Sequence, residues 1–131
     1  MTILNRWFEE VWNRGNEATI DELLRPDTTI HGLKGLDGKD VEGPEAFKAF
    51  YHGFRATLSD IHVEVEATVT EGPLTVARCM VTARHTGDVP GKPAKGNPLK
   101  FSGMAMVRVQ DGKFAEVWNN FDFMTMLQQM D

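Results

Sequence analysis

Hydrophobic positions change their spacing once along this chain, and that change divides it into two halves. In the first half they recur at helical intervals. Ile3, Leu4, Trp7, Phe8, Val11 and Trp12 fall on one face, with Asn5, Arg6, Glu9 and Glu10 between them, which predicts a helix closed by Asn13-Arg14-Gly15. A second short helix carries Ile20, Leu23 and Leu24 and is expected to stop at Pro26. Thr28 to His31 reads as a short strand. Residues 32–43, with four glycines and no period, read as a mobile loop. Pro44 then opens a third helix whose stripe is Phe47, Phe50, Tyr51, Phe54 and Leu58.

From residue 60 the period falls to two. Ile61, Val63, Val65, Ala67 and Val69 alternate with polar neighbours, which predicts a strand with one wet face. Glu71-Gly72-Pro73 turns the chain into a strand over 74–86, and a Pro/Gly-rich connection leads to another over 99–110. Asp111-Gly112 is a hairpin turn before a last strand at 113–122, and Met124 to Met130 read as a closing helix. Helices followed by strands mean α+β: a curved antiparallel sheet, a cone-shaped half-barrel, covered by three N-terminal helices and enclosing an apolar pocket. The 131 residues form one domain, 1–131.

Charge and cysteine content narrow the function classes. A net charge of -5 with scattered basic residues argues against nucleic acid or an anionic membrane as partner. Cys79 is the only cysteine, so no intrachain disulfide can form, and a cytoplasmic protein is expected. Charges interrupt the apolar N-terminal stretch, which lacks the core of a signal peptide and the length of a membrane span. Neither a phosphate-cradling glycine motif nor a nucleophile elbow is present, and His31, His52, His62 and His85 show no metal-ligand pairing. Neither metal nor cofactor is expected.

Candidate chemistry concentrates in EVWNNFD at 116–122. Alternation puts Glu116, Trp118, Asn120 and Asp122 on one face and Val117, Asn119 and Phe121 on the other. The polar face either points to water or lines the pocket, and Trp118 favours the pocket. In that case burial raises the pKa of Asp122 above about 3.9 and makes it a general acid/base near neutral pH. Its partner depends on register. A two-residue Asp111-Gly112 loop sets Val107 and Ala105 beside Glu116 and Trp118, whereas a bulged three-residue loop puts Arg108, Met106 and Met104 on the face of Trp118 and Asp122. The second register is favoured; in it Arg108 either stabilises a developing enolate, a task Asn120 could also serve, or orients the carboxylate. His31 reads as a pocket-rim residue or a structural histidine, and His85 as a loop residue or a ligand contact. Trp12 belongs to the helix stripe and doubles as a pocket wall, and the methionines fill an irregular cavity.

Taken together, VWNRGNEATIDELLRPDTTIHG at 11–32, GPEAFKAFYHGFRATLSDIHVEVE at 43–66, TVARCMVTARHTGD at 75–88 and DGKFAEVWNNFDFMTMLQQM at 111–130 resemble the SnoaL-like polyketide cyclase family, within the nuclear transport factor 2-like fold. The carriers are Asp111, Gly112, Lys113, Glu116, Trp118, Asp122, Leu127 and Gln128 or Gln129. The resemblance implies that Asp122 is the general acid/base of an intramolecular aldol ring closure without metal or cofactor. It places Arg108 where the characterised cyclases carry an assisting histidine, and ARHTG at 83–87 departs from the Gly-Thr-His-Thr-Gly often found in relatives.

The expected function is therefore a cyclase acting on a small apolar molecule, with Asp122 and Arg108 catalytic and Trp118, Asn120, His31, Trp12, Met104, Met106 and His85 holding the substrate. Two rival readings stand beside it. One is a ligand-binding or dimerisation domain without catalysis. The other is epoxide hydrolysis, disfavoured because Glu116 and Asp122 are six residues, about 20 Å, apart along one strand. A homodimer is expected, paired through Val107, Val109, Val117, Phe121 and Phe123.

Overall fold

The computed structural model describes residues 1–35 and 37–131. The N-terminal helix, α1 (Ile3–Trp7), is capped by Thr2 and continues as a π-helical stretch, Phe8–Asn13. It is followed by α2 (Ala18–Leu23), β1 (Leu24–Lys34), β2 (Asp40–Glu42) and α3 (Gly43–Thr57). Four long strands come next: β3 (Leu58–Glu71), β4 (Leu74–His85), β5 (Pro98–Gln110) and β6 (Lys113–Phe121). The short α4 (Phe123–Gln128) ends the chain. The strands form one curved sheet in the order β2-β1-β6-β5-β4-β3. All neighbours are antiparallel except β1 and β6, which run parallel with Ile30 beside Val117 and His31 beside Trp118. No described helix is long and apolar enough to cross a membrane.

The α+β half-barrel under N-terminal helices is the architecture the periodicity predicts, with three local differences. β1 is longer than Thr28–His31: it starts at Leu24, directly after α2, and passes through Pro26. Residues 32–43 are not an open loop. Gly32 to Lys34 continue β1, Asp40–Glu42 pair back onto it, and Leu33 and Val41 are buried. Two buried apolar anchors organise this stretch despite its glycines; Leu36, also within it, lies outside the described residues. Leu58 opens β3 rather than closing α3.

The β5–β6 hairpin combines features of both expected registers. Asp111 (φ 54°) and Gly112 (φ 75°) form a two-residue loop with both residues left-handed, the geometry matching strand twist. Val109 faces Phe114 across it, yet the next pair is Arg108 with Glu116, so Ala115 is an extra residue on β6. This bulge, not a longer loop, sets Arg108, Met106 and Met104 opposite Glu116, Trp118 and Asn120.

The core lies between the helices and the inner sheet face. That inner row includes Phe114, Val117, Asn119 and Phe121 on β6 and Phe101, Ala105 and Val107 on β5. The strip expected to pair two copies is thus largely interior: Val107 and Val117 are buried, and Phe121 and Phe123 wall the cavity. The reason for a dimer through that strip falls. Gly103 shows how tightly this face is built, since a Cβ there would sit 2.2 Å from the Phe121 ring. Gly32 does the same for β1, with a φ of 89° and the Asn119 carbonyl oxygen 2.0 Å from where a Cβ would be. A side chain at either position would push β6 out of place.

Candidate active site

A cavity of about 60 Å³ lies under the helices. Trp7, Trp12, Phe47 and Phe54 wall it from the helical side, and Phe101, Val117 and Phe121 from the sheet. The rings brace one another: Trp7 lies 5.1 Å from Phe47 and 5.3 Å from Phe114 between centroids, and Trp12 lies 4.9 Å from Tyr51. Tyr51 is held by donating its hydroxyl to the Val11 carbonyl at 2.8 Å, and burial raises its pKa. Among the described lining residues none has an ionisable side chain, and Asn119 carries the one side-chain amide. Its Nδ2 donates to the His31 carbonyl at 3.3 Å, which fixes the amide plane and leaves Oδ1 as an acceptor.

The polar face of β6 is the outer face. Trp118 is half-buried there and stacks on His31 at 5.5 Å and 23°. His31 is bracketed by two carboxylates, Nδ1 3.1 Å from Asp40 and Nε2 2.7 Å from Glu116. Lys34 reaches Asp40 at 2.6 Å, and Arg108 reaches Glu116 at 3.4 Å. Within this network Glu116, then Asp40, raises the pKa of His31 against the opposing effect of burial. His31 and Arg108 in turn lower that of Glu116, and Lys34 and His31 that of Asp40. Among the described residues no group of three His, Cys, Asp or Glu side chains is arranged to hold a metal ion.

A histidine whose folded pKa is raised contributes stability below its unfolded value of about 6.5, and that contribution is lost as pH rises through the folded value. Melting temperature should therefore fall more between pH 6 and pH 8.5 for the native protein than for His31→Gln. Equal slopes would show that the network does not titrate as a unit.

Asp122 is not buried. It stands exposed at the end of β6 as the N-cap of α4, accepting from the Thr125 amide at 3.0 Å and the Thr125 hydroxyl at 2.6 Å. These bonds lower its pKa, the reverse of the expected rise, because they stabilise the charged form and little desolvation opposes them. Arg108 is not its partner: Arg108 pairs with Glu116, whereas the Asp122 amide bonds to the Ser102 carbonyl. Six residues of strand, about 20 Å, separate the two.

Of the expected substrate contacts, Trp12 lines the cavity. Trp118, Asn120, His31, Met104 and Met106 lie on the outer face, Met104 being 45% exposed. They cannot contact anything held inside, because the sheet intervenes. His85 is no loop residue. It ends β4, is 0% exposed and does not line the cavity. Cys79 is buried and its thiol is pushed up to about 12, so it offers no nucleophile near neutral pH. Asn119 was missed because Trp118 decided which row faced inward; the apolar company of Val117 and Phe121 was the signal for it.

A protein-family model for SnoaL-like polyketide cyclases matches residues 2–130. The chain belongs to the SnoaL-like polyketide cyclase family. It is 28% identical to the nogalonic acid methyl ester cyclase of Streptomyces nogalater, covering 91% of this chain and 88% of that one. It is 26% identical to DauD, the aklanonic acid methyl ester cyclase of Streptomyces sp. (strain C5), covering 97% of this chain and 79% of that one. The crystal structure of wild-type IdmH from Streptomyces antibioticus superimposes with a TM-score of 0.81 at 30% identity, over 94% of this chain and 92% of that one. In this SnoaL-like protein the family's Glu-x-Trp-x-x-x-Asp pattern divides by position. Glu116 and Trp118 build the outer network, and Asp122 marks the cavity's edge between two wall residues, Phe121 and Phe123.

Proposed function

We propose that this SnoaL-like protein closes a ring in a neutral polyketide ester by intramolecular aldol addition. The observation that carries the reading is the aromatic cavity, whose described walls hold a single carboxamide and no charge. A free carboxylate would enter it without a partner and lose its hydration, whereas a methyl ester of the kind named for DauD and the nogalonic acid enzyme would not. Flat rings would lie against Trp7, Trp12 and Phe47, and Asn119 would orient one hydroxyl.

The chemistry moves one proton and forms one bond. A base takes the proton from the carbon between two carbonyls, and the C–H electrons pass into an enolate. The enolate carbon attacks a ketone in the same molecule, and the new alkoxide takes the proton back. Asp122 is the proposed base, because the residues on both sides of it wall the cavity. To serve, it must exchange its Thr125 hydrogen bonds for the substrate, and leaving them raises its basicity.

One observation favours the rival reading of a binding module without catalysis: no described lining residue is ionisable and Asp122 is engaged as a cap. Incubation with aklanonic acid methyl ester separates the two. Ring closure by addition conserves mass, so the expected result is a product of unchanged mass and new retention time, formed at a saturable rate. Binding with the ester recovered unaltered would establish the module instead. Asn119→Leu should weaken ester binding by about tenfold, the worth of one lost hydrogen bond.

A further inference from the structure

His85 is wholly buried, and among the described residues neither its Nδ1 nor its Nε2 has a hydrogen-bond partner. A neutral imidazole carries one donor and one acceptor, so burying both unpaired costs stability that an apolar side chain would not. The buried threonines show the usual solution. Thr28 donates to the Phe114 carbonyl at 2.5 Å, Thr19 to Glu10 at 2.7 Å, and Thr75 shares a bond with Thr70 at 3.1 Å. The backbone at His85 does not demand this residue: its N–H donates to the Asn97 carbonyl at 3.0 Å and its carbonyl accepts from Gly96 at 2.9 Å, which almost any side chain permits.

Its position relates it to the cavity. Val81, Ala83 and His85 alternate along the buried face of β4, and Val81 is a cavity wall, about 13 Å along the strand from His85. The C-terminal segment covers this end of the sheet. Phe123, the first residue of α4, closes the cavity, and Met126 and Met130 are buried behind it. Gln129 is clipped to Lys100 by bonds of 2.7 and 3.0 Å, and its carbonyl accepts from Asn97 at 3.1 Å. A cavity of about 60 Å³ is too small for a polycyclic ester, since drug-sized ligands occupy about 300 Å³ or more. The walls must part, and α4 is six residues long and starts at the cavity's edge.

We propose that displacement of α4 joins the cavity to His85, whose ring N–H then donates a hydrogen bond to the ketone oxygen of the bound substrate. This rests on the cyclase reading and adds a second polar contact to it. As the enolate carbon attacks, the ketone's π electrons move onto that oxygen, and the His85 N–H stabilises the forming alkoxide without transferring its proton. The alkoxide takes the proton originally removed from carbon. His85 thus remains neutral through the cycle.

The test is a titration of ¹⁵N-labelled protein with aklanonic acid methyl ester, following the imidazole nitrogens, with His85→Phe used for assignment and as a variant. The expected result is a shift of one His85 nitrogen at saturation while His52 and His62 stay unmoved. His85→Phe should melt at or above the native temperature, bind the ester about tenfold more weakly and turn it over about a hundredfold more slowly. His85→Gln, which keeps a donor, should recover part of the rate. If the complex saturates with the His85 nitrogens unmoved, or His85→Phe turns over normally, His85 is packing alone and only this proposal falls. If the native protein binds no ester, the cyclase reading falls and takes the His85 contact with it. Should His85→Phe not fold, the nitrogen shifts of the native protein decide.

Discussion

Asp122→Asn should cut turnover of a polyketide ester by a hundredfold or more, the usual worth of a positioned acid/base group, while melting close to the native temperature. The separation is possible because asparagine caps a helix about as well as aspartate: its Oδ1 still accepts from the Thr125 amide, and its Nδ2 can donate to the Thr125 hydroxyl in place of the bond the carboxylate accepted. Asp122→Ala loses both the base and the cap, and should melt lower as well as failing to turn over. Thr125→Val, by contrast, keeps the carboxylate and removes its hydroxyl donor. Its Asp122 should titrate at higher pH, which carboxyl NMR reads directly. Full turnover by Asp122→Asn would remove the aspartate from the mechanism whatever the substrate.

The largest expected loss of stability is at Phe47. Its ring is 2% exposed and meets Trp7, Trp12, Phe50 and Tyr51 at centroid distances between 5.1 and 6.3 Å. Removing such a ring costs about 3–5 kcal/mol, a large share of the roughly 5–15 kcal/mol that holds a domain of this kind together. Urea unfolding of Phe47→Ala should show that loss with an unchanged slope. The enlarged cavity should also admit bulkier esters. A loss under about 1 kcal/mol would mean that the helices collapse into the gap.

The fold was largely legible because its two periods are unmistakable. Six aromatic or aliphatic residues at helical spacing across α1 and its π-helical continuation, and five alternating positions in β3, leave one arrangement of helices over a sheet. The candidate site was less so, for a reason of physical chemistry. A strand presents two rows, and choosing the inner one by its largest aromatic failed because Trp118 is covered on the outer face by His31, itself held by Asp40 and Glu116. No rule of alternation reports a cover supplied from 87 residues earlier in the chain. The same applies to Asp122: its pattern match located the cavity's edge, while its protonation depends on Thr125, three residues further on. The bulge at Ala115 was equally hidden, since nothing in Phe-Ala-Glu distinguishes a regular ladder from one with an extra residue.

The parallel contact of β1 with β6 has a consequence for how the chain is born. Leu24 lies opposite Phe114, a residue ninety places later, so the middle of the sheet cannot be assembled until β6 has left the ribosome. Until then Trp7 lacks the Phe114 ring and α2 lacks its contact with β6. Synthesis should therefore expose sticky intermediates until β6 emerges and only then allow a cooperative closure, with truncations before residue 114 recovered as aggregates rather than as smaller folded pieces.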